Sequence, residues 1–181
     1  MALYMFFYVA PENHLEFLSE NPTLFDSYLV GDPPNLKQGL FSRLLGKQPP
    51  ELPDDWPTHE LESYCPEISH RQVNAYHYIL NGSSDPVETA GSLFQTWFKP
   101  RHKHPALVID GENFALSTSD VKQLLKQIKG LDPETMHDRF HGCADASEIH
   151  GLDSVKFAFD EIEKACNQAI AKGQGLLWSN R

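Results

Sequence analysis

The sequence predicts a single α+β domain over residues 1–181, in which a small mixed or antiparallel sheet is covered by several helices. Apolar runs of strand length stand near both chain ends, and most segments between them have helical periodicity. The length of 181 residues suffices for one domain with a sizeable core. Hydrophobic residues make up 40% of the chain and charged residues 22%, which is the balance of a folded globular protein.

The first part of the chain predicts one strand followed by short helices. Residues 3–9 form a continuous apolar and aromatic run, which is typical of a strand buried on both faces. Pro11 ends this run and suits the first turn of a helix, and Asn21 with Pro22 starts a second helix in the same way. After a break at residues 31–34, a third short helix is predicted over residues 36–46.

Residues 47–58 predict a proline-rich, acidic surface loop. Its four prolines exclude both a continuous helix and a central strand. Asp54 and Asp55 offer negative charge to a partner, and Trp56 follows them directly. Trp56 is either an anchor for that partner or an aromatic side chain that packs at the edge of the core.

A central helix is predicted within residues 69–86. Ser69 and Gln72 fit a capping box at its start, and Gly82 suits its end. The shared inward face consists of Val73, Tyr76, His77 and Leu80, at the spacing i, i+3, i+4 and i+7. This position favours a buried, hydrogen-bonded His77. The alternative is a ligand-binding or catalytic pocket lined by Tyr76, His77 and Tyr78.

The second half of the chain predicts a strand pair, three helices and a final strand. The strand pair comprises residues 106–109 and 113–116, on either side of a turn. Helices that end at glycine are predicted over residues 117–130, 132–142 and 153–173. Ser117 with Asp120 fits a capping box at the start of the first, and Asp132 followed by Pro133 suits the start of the second. The last apolar run, residues 176–178, completes the sheet.

Two histidines of the predicted 132–142 helix have a spacing known from zinc sites. His137 and His141 stand in H-D-R-F-H, which resembles the zinc motif H-E-x-x-H with aspartate in place of glutamate. Cys143 follows closely and is a further weak candidate ligand. Because Asp138 is one methylene shorter than glutamate and the expected context is missing, the pattern favours two surface histidines. We therefore predict no metal and no cofactor.

The charge of the chain limits the classes of partner. The formal net charge is -10, from 25 acidic and 15 basic residues. Its average field repels nucleic acid and anionic membranes and favours a protein with a basic surface. No apolar run of membrane-spanning length occurs, the first residues lack the features of a secretory signal, and the three cysteines form no CxxC pair. We expect a cytoplasmic protein.

Five segments spread over most of the chain carry a family resemblance. They read V-A-P-E-N-H-L-E-F-L, A-Y-H-Y-I-L-N-G, A-L-S-T-S-D-V-K-Q-L-L, L-D-P-E-T-M-H-D-R-F and A-K-G-Q-G-L-L-W. This series resembles the YfbM-like bacterial family of unknown function, as a divergent member in which Val73 replaces a typical tryptophan and Asn81 a threonine. The resemblance implies an α+β domain in the bacterial cytoplasm and no particular reaction.

Two functional hypotheses follow from the sequence. The first is an acidic protein-binding module that uses Asp54, Asp55 and Trp56, for example an immunity protein that neutralises a basic toxin. The second is a small-ligand-binding protein or enzyme with a pocket around His77. The sequence contains no nucleophile elbow, phosphate loop or dinucleotide fingerprint, so it favours binding over catalysis.

Overall fold

The computed structural model describes residues 3–34, 50–83, 107–110 and 113–181. The predicted third helix at residues 36–46 and the start of the predicted loop, residues 47–49, lie outside the described residues. Among the residues that are described, no helix combines the length and apolar character needed to cross a bilayer.

A five-stranded sheet forms the centre of the described structure. Its strands are β1 (Met5–Ala10), β2 (Ser63–Tyr64), β3 (Leu107–Val108), β4 (Asn113–Leu116) and β5 (Gly175–Asn180). They lie in the order β2-β1-β5-β4-β3, and every neighbouring pair is antiparallel. The two terminal strands are adjacent, with Phe7 opposite Trp178. This pairing explains why the sequence places long apolar runs near both ends of the chain.

Helices cover both faces of the sheet, which confirms the α+β class. They are α1 (Glu12–Glu20), α2 (Phe25–Val30), α3 (Val73–Asn81), α4 (Thr118–Lys129), α5 (Pro133–Gly142) and α6 (Leu152–Lys172). Two single 3₁₀ turns, Pro22–Leu24 and Ala146–Glu148, precede α2 and α6. Short connections of this kind keep consecutive elements adjacent in space.

The alternation of side chains along β1 divides the core into two parts. Met5 and Phe7 pack with α3, α4 and α6, in the part that also buries Trp178. Tyr8 and Ala10 pack on the other face with α1 and α2. Because successive strand residues point to opposite faces, an apolar pattern on both faces requires helices on both. Each large side chain that is fully buried stabilises the fold by ~1.5–3 kcal/mol.

Two helices begin at the side-chain caps that their local sequence indicates. Ser117 accepts from the amide of Asp120 and completes the predicted capping box of α4. Asp132 accepts from the amide of Thr135 at the start of α5, where Pro133 occupies the first helical position. Each cap satisfies a backbone donor that the first turn would leave unpaired.

The predicted start of α3 at Ser69 is wrong by one turn. The backbone of residues 68–70 runs extended beside β1, because the amide of Met5 donates to the carbonyl of Ile68 and the amide of His70 to that of Leu3. Helical geometry therefore begins only at Val73. Gln72 still bonds back to Ser69, since its Oε1 accepts from the Ser69 amide at 2.8 Å.

Candidate functional site

An acidic layer covers the sheet face that carries Tyr8. We use this name for residues 11–34 and 50–62, which contain α1, α2 and the described part of the proline-rich loop. Its exposed carboxylates are Glu12, Glu16, Glu20, Asp26, Asp32, Glu51, Asp54, Asp55, Glu60 and Glu62. Neither lysine nor arginine occurs in these two ranges. The layer therefore presents negative charge with no cationic side chain of its own.

Few of these carboxylates have a partner within the described part of the chain. The Arg181 guanidinium forms an ion pair with Asp26. Glu12 accepts from the backbone amide of Thr118 at 2.7 Å, and the hydrogen bonds from Thr118 lower the pKa of its carboxyl group. Both contacts lie where the layer meets other elements. Most of its negative charge remains free of an ion pair among the described residues.

The loop part of the acidic layer is held by Trp56. This side chain is only 8% exposed and packs edge-to-face on Phe17 and Tyr28, with ring centroids 6.1 and 5.1 Å apart. Trp56 thus lies at the edge of the core, where the sequence allowed it, while Asp54 and Asp55 beside it are exposed. The indole Nε1 is buried and has no hydrogen-bond partner in the described structure.

A buried histidine outside the sequence-predicted site residues connects the loop to α1. His14 is 1% exposed, and its two ring nitrogens lie 2.7 Å from Tyr28 Oη and 2.6 Å from Asp55 Oδ1. Nε2 carries the proton that it donates to Asp55, and Nδ1 accepts from the Tyr28 hydroxyl when the ring is neutral. The bond from His14 lowers the pKa of Asp55, and burial raises the pKa of Tyr28.

The three residues of the predicted pocket do not converge. His77 is fully buried, and Asn81 Nδ2 lies 3.4 Å from its Nδ1. Tyr76 points toward α6, where its hydroxyl donates to the carbonyl of Ser154 at 3.3 Å. Tyr78 instead has its hydroxyl near Gly142 at the end of α5. A pocket around His77 stays a prediction.

The candidate metal ligands of α5 are close to each other and to solvent. The rings of His137 and His141 have centroids 4.3 Å apart, and both side chains are exposed. Cys143 is half-buried, and desolvation raises the pKa of its thiol, which opposes the thiolate form that binds metals. Across the described ranges, no group of three or more His, Cys, Asp or Glu side chains is placed to hold a metal ion.

Described residues line at least three cavities. The first, of about 530 Å³, lies between α3, α4 and α5 and includes Lys126, Gln127 and Arg139 in its wall; we call it the polar basin. The second, of about 690 Å³, lies at the edge of the sheet beside Tyr4 and Arg71. The third, of about 240 Å³, is lined by Tyr76. His77 lines none of these three.

The architecture defines an α+β domain with an antiparallel sheet between helical layers. The crystal structure of a protein of unknown function, YfbM from Escherichia coli, has this fold: the two chains match over 100% of each, with a TM-score of 0.53 and 13% sequence identity. At this identity the likeness concerns the fold alone, so the resemblance to YfbM is confirmed at that level. No protein-family model and no curated protein matches the sequence.

Proposed function

We propose that this protein is a protein-binding module whose acidic layer docks on the basic surface of a partner. The observation that carries the proposal is the composition of the layer: ten exposed carboxylates and no lysine or arginine in residues 11–34 and 50–62. A surface of one charge sign raises the rate of association with a partner of the opposite sign and disfavours other partners.

The distribution of charge supports a defined docking face over a uniformly acidic surface. Residues 113–181, which supply α4, α5 and α6, contain ten acidic residues beside eight lysines and arginines. The excess of negative charge among the described residues is therefore concentrated on one side of the sheet. A basic partner would meet an attractive surface there and a mixed surface elsewhere.

The way the loop is fixed also supports binding through this face. Trp56 packs between Phe17 and Tyr28, and His14 holds Asp55. The amide of Leu61 donates to the carbonyl of Leu29 at 2.9 Å and attaches the far end of the loop to α2. A surface that is already ordered loses less conformational entropy on binding than a flexible one.

A finer form of the proposal is an immunity protein that neutralises a basic toxin. Such a protein needs a stable, preformed acidic surface and no catalytic group, and the acidic layer has the charge and the support that this role requires. A basic toxin bound with 1:1 stoichiometry would be the expected partner.

The test is capture of the partner from the source organism, with the purified protein as bait at low salt. We expect one basic protein in stoichiometric amount, released by added salt. The variant Glu51→Lys/Asp54→Lys should bind it at least about tenfold more weakly. Asp138→Lys/Asp160→Lys, which makes the same change of net charge on α5 and α6, should retain binding. Equal loss in both variants, or no stoichiometric partner, would contradict the proposal.

A further inference from the structure

The polar basin has the size and the side chains of a small-ligand site, and it lies on the sheet face opposite the acidic layer. The C-terminal ends of α3 and α4 and the first turns of α5 form its walls. Its volume of about 530 Å³ falls within the usual range of ligand pockets. Leu80 and Leu131 supply apolar surface, and the remaining wall is mostly polar.

Arg139 is fixed in the wall of the basin. Its Nη1 donates to the carbonyls of Ile79 and Leu80, at 3.0 and 2.8 Å, at the end of α3. Gly82 packs against the guanidinium so closely that a Cβ there would lie 3.2 Å from Cζ. The Nε and Nη2 donors make no hydrogen bond to any described residue. A positioned guanidinium with free donors is well suited to bind a carboxylate.

The charged side chains of the basin wall favour a ligand whose acidic group has a single negative charge. Lys126 forms no ion pair within the described ranges, whereas Lys129 in the same turn pairs with Glu163 at 3.3 Å. Asp132 is the acidic residue of the wall, and its oxygens accept from the amide and hydroxyl of Thr135 at 2.9 and 2.6 Å. Two cationic side chains and one carboxylate leave one net positive charge. A carboxylate balances it, whereas a phosphate dianion would be repelled by Asp132.

Gln127 indicates that the ligand also has a hydrogen-bond donor. Gln127 is a residue of the basin wall, and its Oε1 is buried without a hydrogen-bond partner in the described structure. Buried acceptors of this kind are rare in folded proteins, because they lose their hydrogen bonds to water without replacement. The last torsion of a glutamine rotates easily, so the amide can turn this oxygen toward an N–H or O–H group in the basin.

We propose that the polar basin binds a small carboxylate that also carries an amino or hydroxyl group, the chemistry of an amino acid or a hydroxy acid. Arg139 and Lys126 bind the carboxylate, and Gln127 with Asp132 accepts from the donor group. The site is independent of the acidic layer, so either proposal can fail without the other.

The experiment is a titration of the purified protein, followed by calorimetry and by thermal unfolding. The probes are the twenty protein amino acids, lactate and glycolate, with sodium acetate and inorganic phosphate as comparison compounds. We expect at least one amino or hydroxy acid to bind and raise Tm. Lys126→Met should weaken this binding about tenfold, as expected for a lost charge-assisted contact. Lys122→Met, one turn earlier on α4 and outside the basin, should leave it unchanged.

The variant Gln127→Leu tests whether the ligand needs a hydrogen-bond donor, separately from the charge of its carboxylate. This variant should reduce the affinity for the amino or hydroxy acid and leave any weak affinity for acetate unchanged, and far-UV circular dichroism would establish that its fold is intact. Absence of binding by every probe at millimolar concentration would overturn the proposal. So would phosphate or acetate binding as tightly as the best probe, or unchanged binding in Lys126→Met.

Discussion

The imidazole of His14 joins the carboxylate of Asp55 across 41 residues of sequence, with Nε2 and Oδ1 2.6 Å apart. His14 is buried in α1, whereas the Asp55 side chain is 66% exposed. The bond therefore connects the interior of the domain to an exposed side chain of the acidic loop. The Tyr28 hydroxyl donates to the other ring nitrogen of His14, so both nitrogens of the neutral ring have a hydrogen-bond partner.

This bond predicts an acid-dependent contribution to stability. The pKa of Asp55 is lowered in the folded protein from its ordinary value of 3.8, chiefly by the hydrogen bond from His14. A carboxyl group with a depressed folded pKa stabilises the fold fully above its unfolded pKa. That contribution is lost as the pH falls through the folded pKa.

The variant Asp55→Asn tests this dependence. We expect it to be less stable than the parent at pH 6, and we expect the difference to shrink as the pH falls below about 3.8. Urea unfolding between pH 2.5 and 6 measures the difference, and Asp54→Asn is the control because Asp54 lacks the His14 contact. A difference that stays constant with pH would show that the carboxylate form of Asp55 contributes nothing.

We predict that truncation of Trp56 causes a large loss of stability and that its conservative replacement causes a small one. Trp56→Ala should lower the free energy of unfolding by ~3–5 kcal/mol, because it removes the edge-to-face contacts with Phe17 and Tyr28 and leaves a cavity. Trp56→Phe should cost less, since Nε1 has no hydrogen-bond partner to lose. Urea unfolding of both variants gives the comparison. Similar losses in both would mean that the indole ring contributes beyond its packing.

The elements with strong local signals could be predicted from the sequence. Ser117 and Asp120 form the capping box of α4 as predicted, and the apolar spacing of α3 places His77 in the core. The start of α3 could not be predicted, because backbone hydrogen bonds to β1, distant in sequence, hold residues 68–70 extended. Local propensity gives way to such tertiary pairing.

The residues of the candidate site could be predicted from the sequence, whereas the contacts between them could not. The acidic loop and its exposed Asp54 and Asp55 follow from the sequence. The bond between His14 and Asp55 does not, although the spacing of His14 from Leu18, four residues on, indicates an inward position. Contacts across 41 residues depend on how the loop folds back over α1, which no local pattern encodes.

We predict a moderate loss of stability for the variant Ser117→Ala. Ser117 accepts from the Asp120 amide and donates its own amide to Asp120 Oδ2 at 3.1 Å. Removal of the hydroxyl should cost about 1 kcal/mol, the usual value for an N-cap. The matched control is Ser154→Ala in the first turn of α6, because the Ser154 hydroxyl makes no hydrogen bond to any described residue. Thermal unfolding would contradict the capping role if both variants lost the same stability.

Gly31, which follows the last residue of α2, lies against the backbone of His59 at the end of the acidic loop. Its φ angle is +70°, and a Cβ at this position would lie 2.2 Å from the carbonyl oxygen of His59, a separation that requires the backbone to move. Gly173 provides the control, because its φ angle is +64° and a Cβ there would meet nothing within 4 Å. Both alanine variants carry the strain of a positive φ angle, and Gly31→Ala alone carries the clash.

We therefore expect Gly31→Ala to lower the free energy of unfolding by clearly more than the ~1 kcal/mol expected for Gly173→Ala. Because the clash lies between the loop and α2, Gly31→Ala should also increase amide hydrogen exchange in residues 56–62, whereas Gly173→Ala should not. Urea unfolding and hydrogen exchange by mass spectrometry measure the two effects. Equal destabilisation with unchanged exchange would show that the loop does not lie against Gly31.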